Sequence, residues 1–328
     1  MNSEVGRCRS KSCTCLMNYH CLASGVDAVR KQHRFLETEK ARKRGFIILF
    51  LGPILLYYVV FLFYPLLSSF IWTFMDYNPI GQNNQFIGLE NYRALMADPL
   101  VGITLQNTFL LTLYIIPGAL IISFIIALAL NHLDERMRAV FTTAYFVPVI
   151  TSMVACAAIW IWLYHPSRGL FNFVLYALGF STKRWLLDTK LVKPSIAVFT
   201  IWKSVGFNAV IFLAALKGIP DFYYEAARLD GASGWKMTKN ITLPLLRPAF
   251  TFVLVTSVIG TLQIFTQVYV MTSGGPVHAS RVLAMYIYER GIRYLEMGYA
   301  STLAWVLFVI IMIITLIQMR FLRTDWEY

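Results

Sequence analysis

Lys203 is the only Lys, Arg, Asp or Glu inside any of six long apolar blocks of this sequence. A charge at that depth is expensive and normally faces a partner or a cavity. Two readings stand side by side: the ammonium lines a polar path, or the long stem snorkels to the outer headgroups. Ser204 and Asn208 follow it on the same block, and Ser257, Thr261, Gln263, Gln267 and Tyr269 mark the next one. Such groups can hydrogen-bond a polar solute, or tie helices together as Ser, Thr and Gln do routinely in membrane bundles. No Ser-His-Asp set, paired carboxylate or metal-ligand group occurs within the blocks, so no catalytic residue and no metal ligand is assigned.

A second group of reactive side chains lies at the start. Cys8, Cys13, Cys15 and Cys21, with His20, have the residue types of a zinc site. They lack the paired C-x-x-C spacing of common zinc motifs, and reduced thiols on a tail are the plainer reading. Cys156, inside an apolar block, reads as packing.

The elements that must position these residues follow from composition. The chain has 328 residues, 58% of them hydrophobic and 14% charged, with a net charge of +12. A soluble domain is usually about a quarter charged. The apolar residues come in blocks of about 20 or more, enough to cross a ~30 Å hydrocarbon core as helix. The blocks run over residues 46–75, 105–130, 139–164, 195–216, 248–271 and 299–319. Pro53, Pro65, Pro117 and Pro148 interrupt them and predict kinks. Residues 1–45 hold no apolar core followed by a cleavage site, so the first block reads as an uncleaved anchor.

Charge sets the orientation. With the N-terminus inside, the segments from Arg30 onward place sixteen Lys and Arg inside against nine outside. That is the sense of the positive-inside rule, and it predicts cytoplasmic termini. The basic segments sit between apolar blocks, so anionic lipid rather than nucleic acid accounts for them.

The longest inside segment between two crossings, 217–247, is not a plain polar loop. It reads Glu225-Ala-Ala-Arg-Leu-Asp-Gly231, then Ala-Ser-Gly-Trp-Lys-Met-Thr-Lys-Asn, then Ile241-Thr-Leu-Pro244. Glu225 to Leu229 are good helix formers. Gly231 supplies a left-handed position that ends a helix. Ser233 can cap a second helix, which is expected to end against Pro244, with Pro248 opening the next crossing. Gly231-Ala-Ser-Gly-Trp-Lys236 only glances at a phosphate loop, because lysine stands where the second glycine should be.

The order E-A-A, three residues, G, nine residues, I-x-L-P resembles the signature loop of permease subunits of binding-protein-dependent ABC importers. Glu225, Ala226, Ala227, Gly231, Ile241, Leu243 and Pro244 occupy the matching positions. Phe86–Tyr92, Phe146-Val-Pro148, Thr272–Pro276, Tyr286-Ile-Tyr288 and Gly298–Ser301 resemble the carbohydrate-uptake branch, near the maltose, lactose and glycerol-3-phosphate permeases. The resemblance spans about residues 46–322.

The resemblance implies an all-α membrane protein of the bacterial inner membrane, with six transmembrane helices in the type I importer fold and a cytoplasmic coupling helix. In that reading residues 1–45 are a Cys-rich basic tail, 46–75 the first crossing and 76–104 an external loop. Residues 105–322 form the permease core and 323–328 a second tail. It implies a second permease subunit, two ATPase subunits that bind ATP and magnesium, an external substrate-binding protein, and a saccharide substrate. The chain itself then needs no cofactor and is not an enzyme. Glu225, Ala226, Ala227, Asp230, Gly231 and Pro244 become the ATPase-coupling set. Lys203, Ser204, Asn208, Ser257, Thr261, Gln263, Gln267 and Tyr269 become candidates for the substrate path. An anionic saccharide, such as a uronate oligosaccharide or sugar phosphate, is the alternative to a neutral one. An ion-coupled transporter or a membrane enzyme is the competing class. The first would show repeats or buried acids and the second a catalytic cluster, and neither is seen.

Overall fold

The computed structural model describes residues 45–81 and 84–322. The clustered cysteines, His20 and the C-terminal tail lie outside the described residues. The chain falls into two units, Met1–Ser68 and Ser69–Tyr328. The described part of the first is helical, within α1, Gly45–Trp72, whose last residues belong to the second. Large apolar side chains from Phe46 to Tyr64 are exposed, a surface that lipid solvates and water does not. Pro65 lacks an amide and its ring would strike the carbonyl four residues back. The helix widens just before it, through a π turn over Val59–Phe63 in which Tyr64 N–H donates to the Val59 carbonyl.

The second unit opens with a two-residue antiparallel ribbon, β1 (Met75–Asp76) with β2 (Gln85–Phe86), so the described chain is not purely helical. Asn91, on α2 (Glu90–Ala97), pins it by donating to the carbonyls of Thr73 and Met75 at 3.0 Å each. The second crossing, α3, spans Pro99–Asn131. It begins earlier than residue 105 because Asp98 caps it, accepting from Leu100 N–H at 2.9 Å, and Pro99 fits the first turn.

The third block departs from expectation. It is not one kinked helix but two, α4 (Glu135–Ile150) and α5 (Met153–Leu163), set at 97°. Pro148 removes one ladder donor. Thr151, extended at ψ 146°, donates its hydroxyl back to the Val147 carbonyl at 2.8 Å, which competes with the ladder. After α6 (Leu170–Ala177) the fourth crossing, α7 (Val192–Lys217), runs through the centre of the unit. Its apolar window is 61% buried, against 28% for α3.

The hairpin 217–247 holds α8 (Phe222–Leu229) and α9 (Gly234–Leu245). The second does not stop against Pro244. A π turn over Thr238–Thr242 precedes that proline, as one precedes Pro65, and the break comes at Leu246. Pro248 does open α10 (Arg247–Leu262), which lies at 65° to α9. The fifth block is also broken: Gln263–Phe265 leave the helix before α11 (Thr266–Thr272). Then come α12 (Leu283–Tyr288) and α13 (Met297–Phe321). Among the described residues four helices are long and apolar enough to cross a membrane, six if each bent pair is one crossing.

The core that supports the site packs Leu111 and Ile115 of α3 with Trp160 of α5, Ile196 and Phe199 of α7, and Ile264 and Val268 at the fifth break. Cys156 is buried there, as packing predicts. Lipid is as apolar as these side chains, so close packing rather than water exclusion holds them.

Candidate functional site

Six of the eight polar residues picked out on α7 and the fifth block meet in one cavity of about 240 Å³. Lys203, Ser204 and Asn208 come from α7, Ser257 and Thr261 from α10, and Gln267 from α11. Positions 204 and 208 lie one helical turn apart, as do 257 and 261, so each pair shares a face. The break at Gln263–Phe265 turns α11 so that Gln267 joins them. Gly260 adds room, since a β-carbon there would meet nothing of the described residues within 4 Å. Gln263 is exposed and outside the cavity lining. Tyr269 is outside it too, stacked on Phe265 at 5.3 Å with Tyr288 edge-on at 5.5 Å.

Hydrogen bonding decides what these groups offer. Thr200, Ser204, Thr256 and Thr261 donate their hydroxyl protons to carbonyls of their own helices, which leaves their oxygens as acceptors. Asn208 is 4% exposed, and its Nδ2 has no partner among the described residues. A buried amide left so is costly unless a ligand or water meets it. Lys203 is 8% exposed. It is one of the residues lining the cavity, and its ammonium donates to the carbonyls of Pro148, Val149 and Thr151.

The hairpin presents a different surface. α8 ends in a paired cap: Ala232 N–H donates to the Ala227 carbonyl at 2.9 Å, and Gly231 N–H to that of Arg228 at 3.0 Å. Gly231 sits at φ +72°. Glu225, Ala226, Asp230, Gly231 and Pro244 are exposed. Ala227, of the same set, is buried. Tyr224 and Thr242 hydroxyls meet at 3.0 Å and tie α8 to α9. Ser233 precedes α9 but makes no side-chain cap bond. Phe222, Leu229 and Trp235 project as exposed apolar groups.

Sequence reasoning missed one cluster. Asp98 Oδ2 accepts from Tyr286 and, at 2.9 Å, from Tyr299. Arg290 lies 4.5 Å from the Tyr299 ring centre and pairs with Glu296 at 2.9 Å. Burial alone would raise the Asp98 carboxyl; the hydrogen bonds from Tyr286, Leu100 and Tyr299, with Arg290, outweigh it and hold it below its usual value. Burial, with the bond to Asp98, pushes Tyr286 up to about 12. No local pattern joins positions 98, 286 and 299; only the tyrosines within the two motif segments pointed there.

The family of binding-protein-dependent transport system inner membrane components matches residues 108–324. This chain belongs to that family. The permease is 35% identical to the sulfoquinovosyl glycerol transport system permease protein SmoG of Agrobacterium fabrum, over 84% of this chain and 90% of that one. It is 32% identical to the arabinooligosaccharides transport system permease protein AraP of Bacillus subtilis, over 85% and 88%. Its fold is that of a chain in a bacterial ABC transporter involved in the import of the acidic polysaccharide alginate. The TM-score is 0.78 at 23% identity, over 88% of this chain and 99% of that one. The permease is therefore a multi-pass membrane protein of an ABC transport system.

Proposed function

We propose that this permease is one of two that together form the translocation path of an ATP-driven saccharide importer. The observation that carries the reading is the cavity where Asn208, Ser204, Ser257, Thr261 and Gln267 converge. Hydroxyl acceptors and amide donors with apolar walls suit a polyhydroxylated solute. At about 240 Å³ the cavity is smaller than the usual ~300–1,000 Å³ of a complete ligand pocket, which supports a second permease subunit supplying the facing wall. Relatives named for arabinooligosaccharides and sulfoquinovosyl glycerol support a saccharide.

Phe222–Gly231 is the segment we assign to coupling. Two ATPase subunits on the cytoplasmic side would bind ATP and magnesium, one of them receiving Glu225, Ala226 and the exposed Leu229. A binding protein outside would deliver the saccharide. A neutral saccharide is the first reading and an anionic one the second. The test is the purified complex with its binding protein in proteoliposomes, screened with neutral and uronate oligosaccharides for stimulated ATP hydrolysis and uptake. Stimulation by a saccharide supports the reading; ATP-independent uptake driven by an ion gradient overturns it.

A further inference from the structure

A buried lysine and a broken helix meet here. α4 stops at Ile150 and the chain turns by 97° into α5. A helix end leaves its last carbonyls without intrahelical donors. Water satisfies them at a surface, but at membrane depth an unpaired carbonyl is severely penalised. The Lys203 ammonium meets three carbonyls at this break, those of Pro148, Val149 and Thr151. An ammonium has three N–H donors, and all three are taken. Its positive charge also lies against the negative end of the α4 dipole. Among the described residues no carboxylate pairs with Lys203, so the open helix end is its counter-charge.

Gly206 lies one turn further along the same face of α7. A β-carbon there would stand 2.0 Å from the Tyr145 carbonyl oxygen. α4 is thus seated against α7 at Gly206 and capped by α7 at Lys203.

We infer that Lys203 is a positioning residue that holds the bend of the third crossing, not a ligand for an anionic substrate. Lys203 is one of the residues lining the cavity, so it links the cavity wall to the geometry of the break. The bend does not depend on the transport reading; the effect on turnover does rest on it.

The test uses the full-length chain in lipid nanodiscs. Spin labels go on cysteines at Met137 and Trp162, both exposed, after replacing Cys8, Cys13, Cys15 and Cys21 by serine and Cys156 by alanine. At a rise of 1.5 Å per residue these positions are roughly 25 Å apart across a 97° bend and roughly 38 Å apart on a straight helix. The parent and Lys203→Arg should show one narrow distance near the shorter value. Lys203→Met should lose that peak and spread toward the longer one. Should Lys203→Met not reach the membrane, Lys203→Gln, which keeps two donors, is compared with the parent and should broaden partway. An unchanged distribution in the neutral variants overturns the inference.

In the reconstituted complex, loss of the cap should lower turnover roughly tenfold and change KM less than about twofold. A raised KM with the bend intact would make Lys203 a substrate ligand and also overturn it. If the bend widens but the parent complex transports no saccharide, the transport reading fails alone.

Discussion

The Gly206 α-carbon faces the Tyr145 carbonyl so closely that an added β-carbon would be 2.0 Å from its oxygen. The obstacle is backbone, which cannot rotate aside. Gly206→Ala should therefore separate α4 from α7 and lower stability by about 1–3 kcal/mol, the range for overpacking. Thermal unfolding of the purified variant checks this. Gly260→Ala is the comparison, since among the described residues nothing lies within 4 Å of its added carbon, and it should unfold with the parent.

Gly231 and Gly179 provide a matched pair. Both have positive φ, +72° and +80°, and at neither would a β-carbon meet an atom of the described residues within 4 Å. Valine at either position should carry the same strain, roughly 1–2 kcal/mol. Only Gly231→Val distorts the proposed coupling segment. It should abolish uptake and release or uncouple the ATPase, while Gly179→Val keeps most uptake. Normal transport by both Gly231→Val and Glu225→Lys would remove the coupling role.

The cavity makes a separate prediction. Gly260→Leu extends a side chain into the open space beside Asn208 and Thr261. Uptake should fall at least tenfold while the complex still assembles and hydrolyses ATP. Unaltered uptake would place the path elsewhere.

Asp98 sets a pH dependence. Its folded pKa is depressed, so its contribution is present above the unfolded value of ~3.9 and is lost as pH falls through the folded one. The Tyr286 phenol, raised to about 12, contributes fully below its unfolded value of ~10 and loses its contribution as pH rises toward 12. Asp98→Asn should be destabilised by about 1–3 kcal/mol at neutral pH, as for hydrogen bonds to a charged group. The gap to the parent should close on acidification below pH ~4. Hydrogen exchange of residues 283–296 at several pH values reads this.

Orientation is tested at the hairpin. Ser233→Cys in a background without other cysteines should react with an impermeant thiol reagent only from the cytoplasmic side. Labelling from outside in sealed vesicles of known orientation would reverse the topology.

What the sequence determined by itself is what depends on neighbours along the chain. Apolar runs of membrane length mark the crossings because insertion responds to local hydropathy. Glu225–Leu229 followed by Gly231 marks the end of α8, because a capped helix end is built from a few consecutive residues. The polar residues of α7 and α10 were legible as candidates because polarity at depth is rare. Tertiary structure decided the rest. The bend after Ile150 is capped by a lysine 52 to 55 residues further on, and no window over the third block contains it. Gln267 enters the cavity and Gln263 does not because the helix breaks between them. Asp98 meets Tyr286 and Tyr299 across 188 and 201 residues. Buried polar groups must find partners wherever the fold brings them, and that choice is made in space, not along the chain.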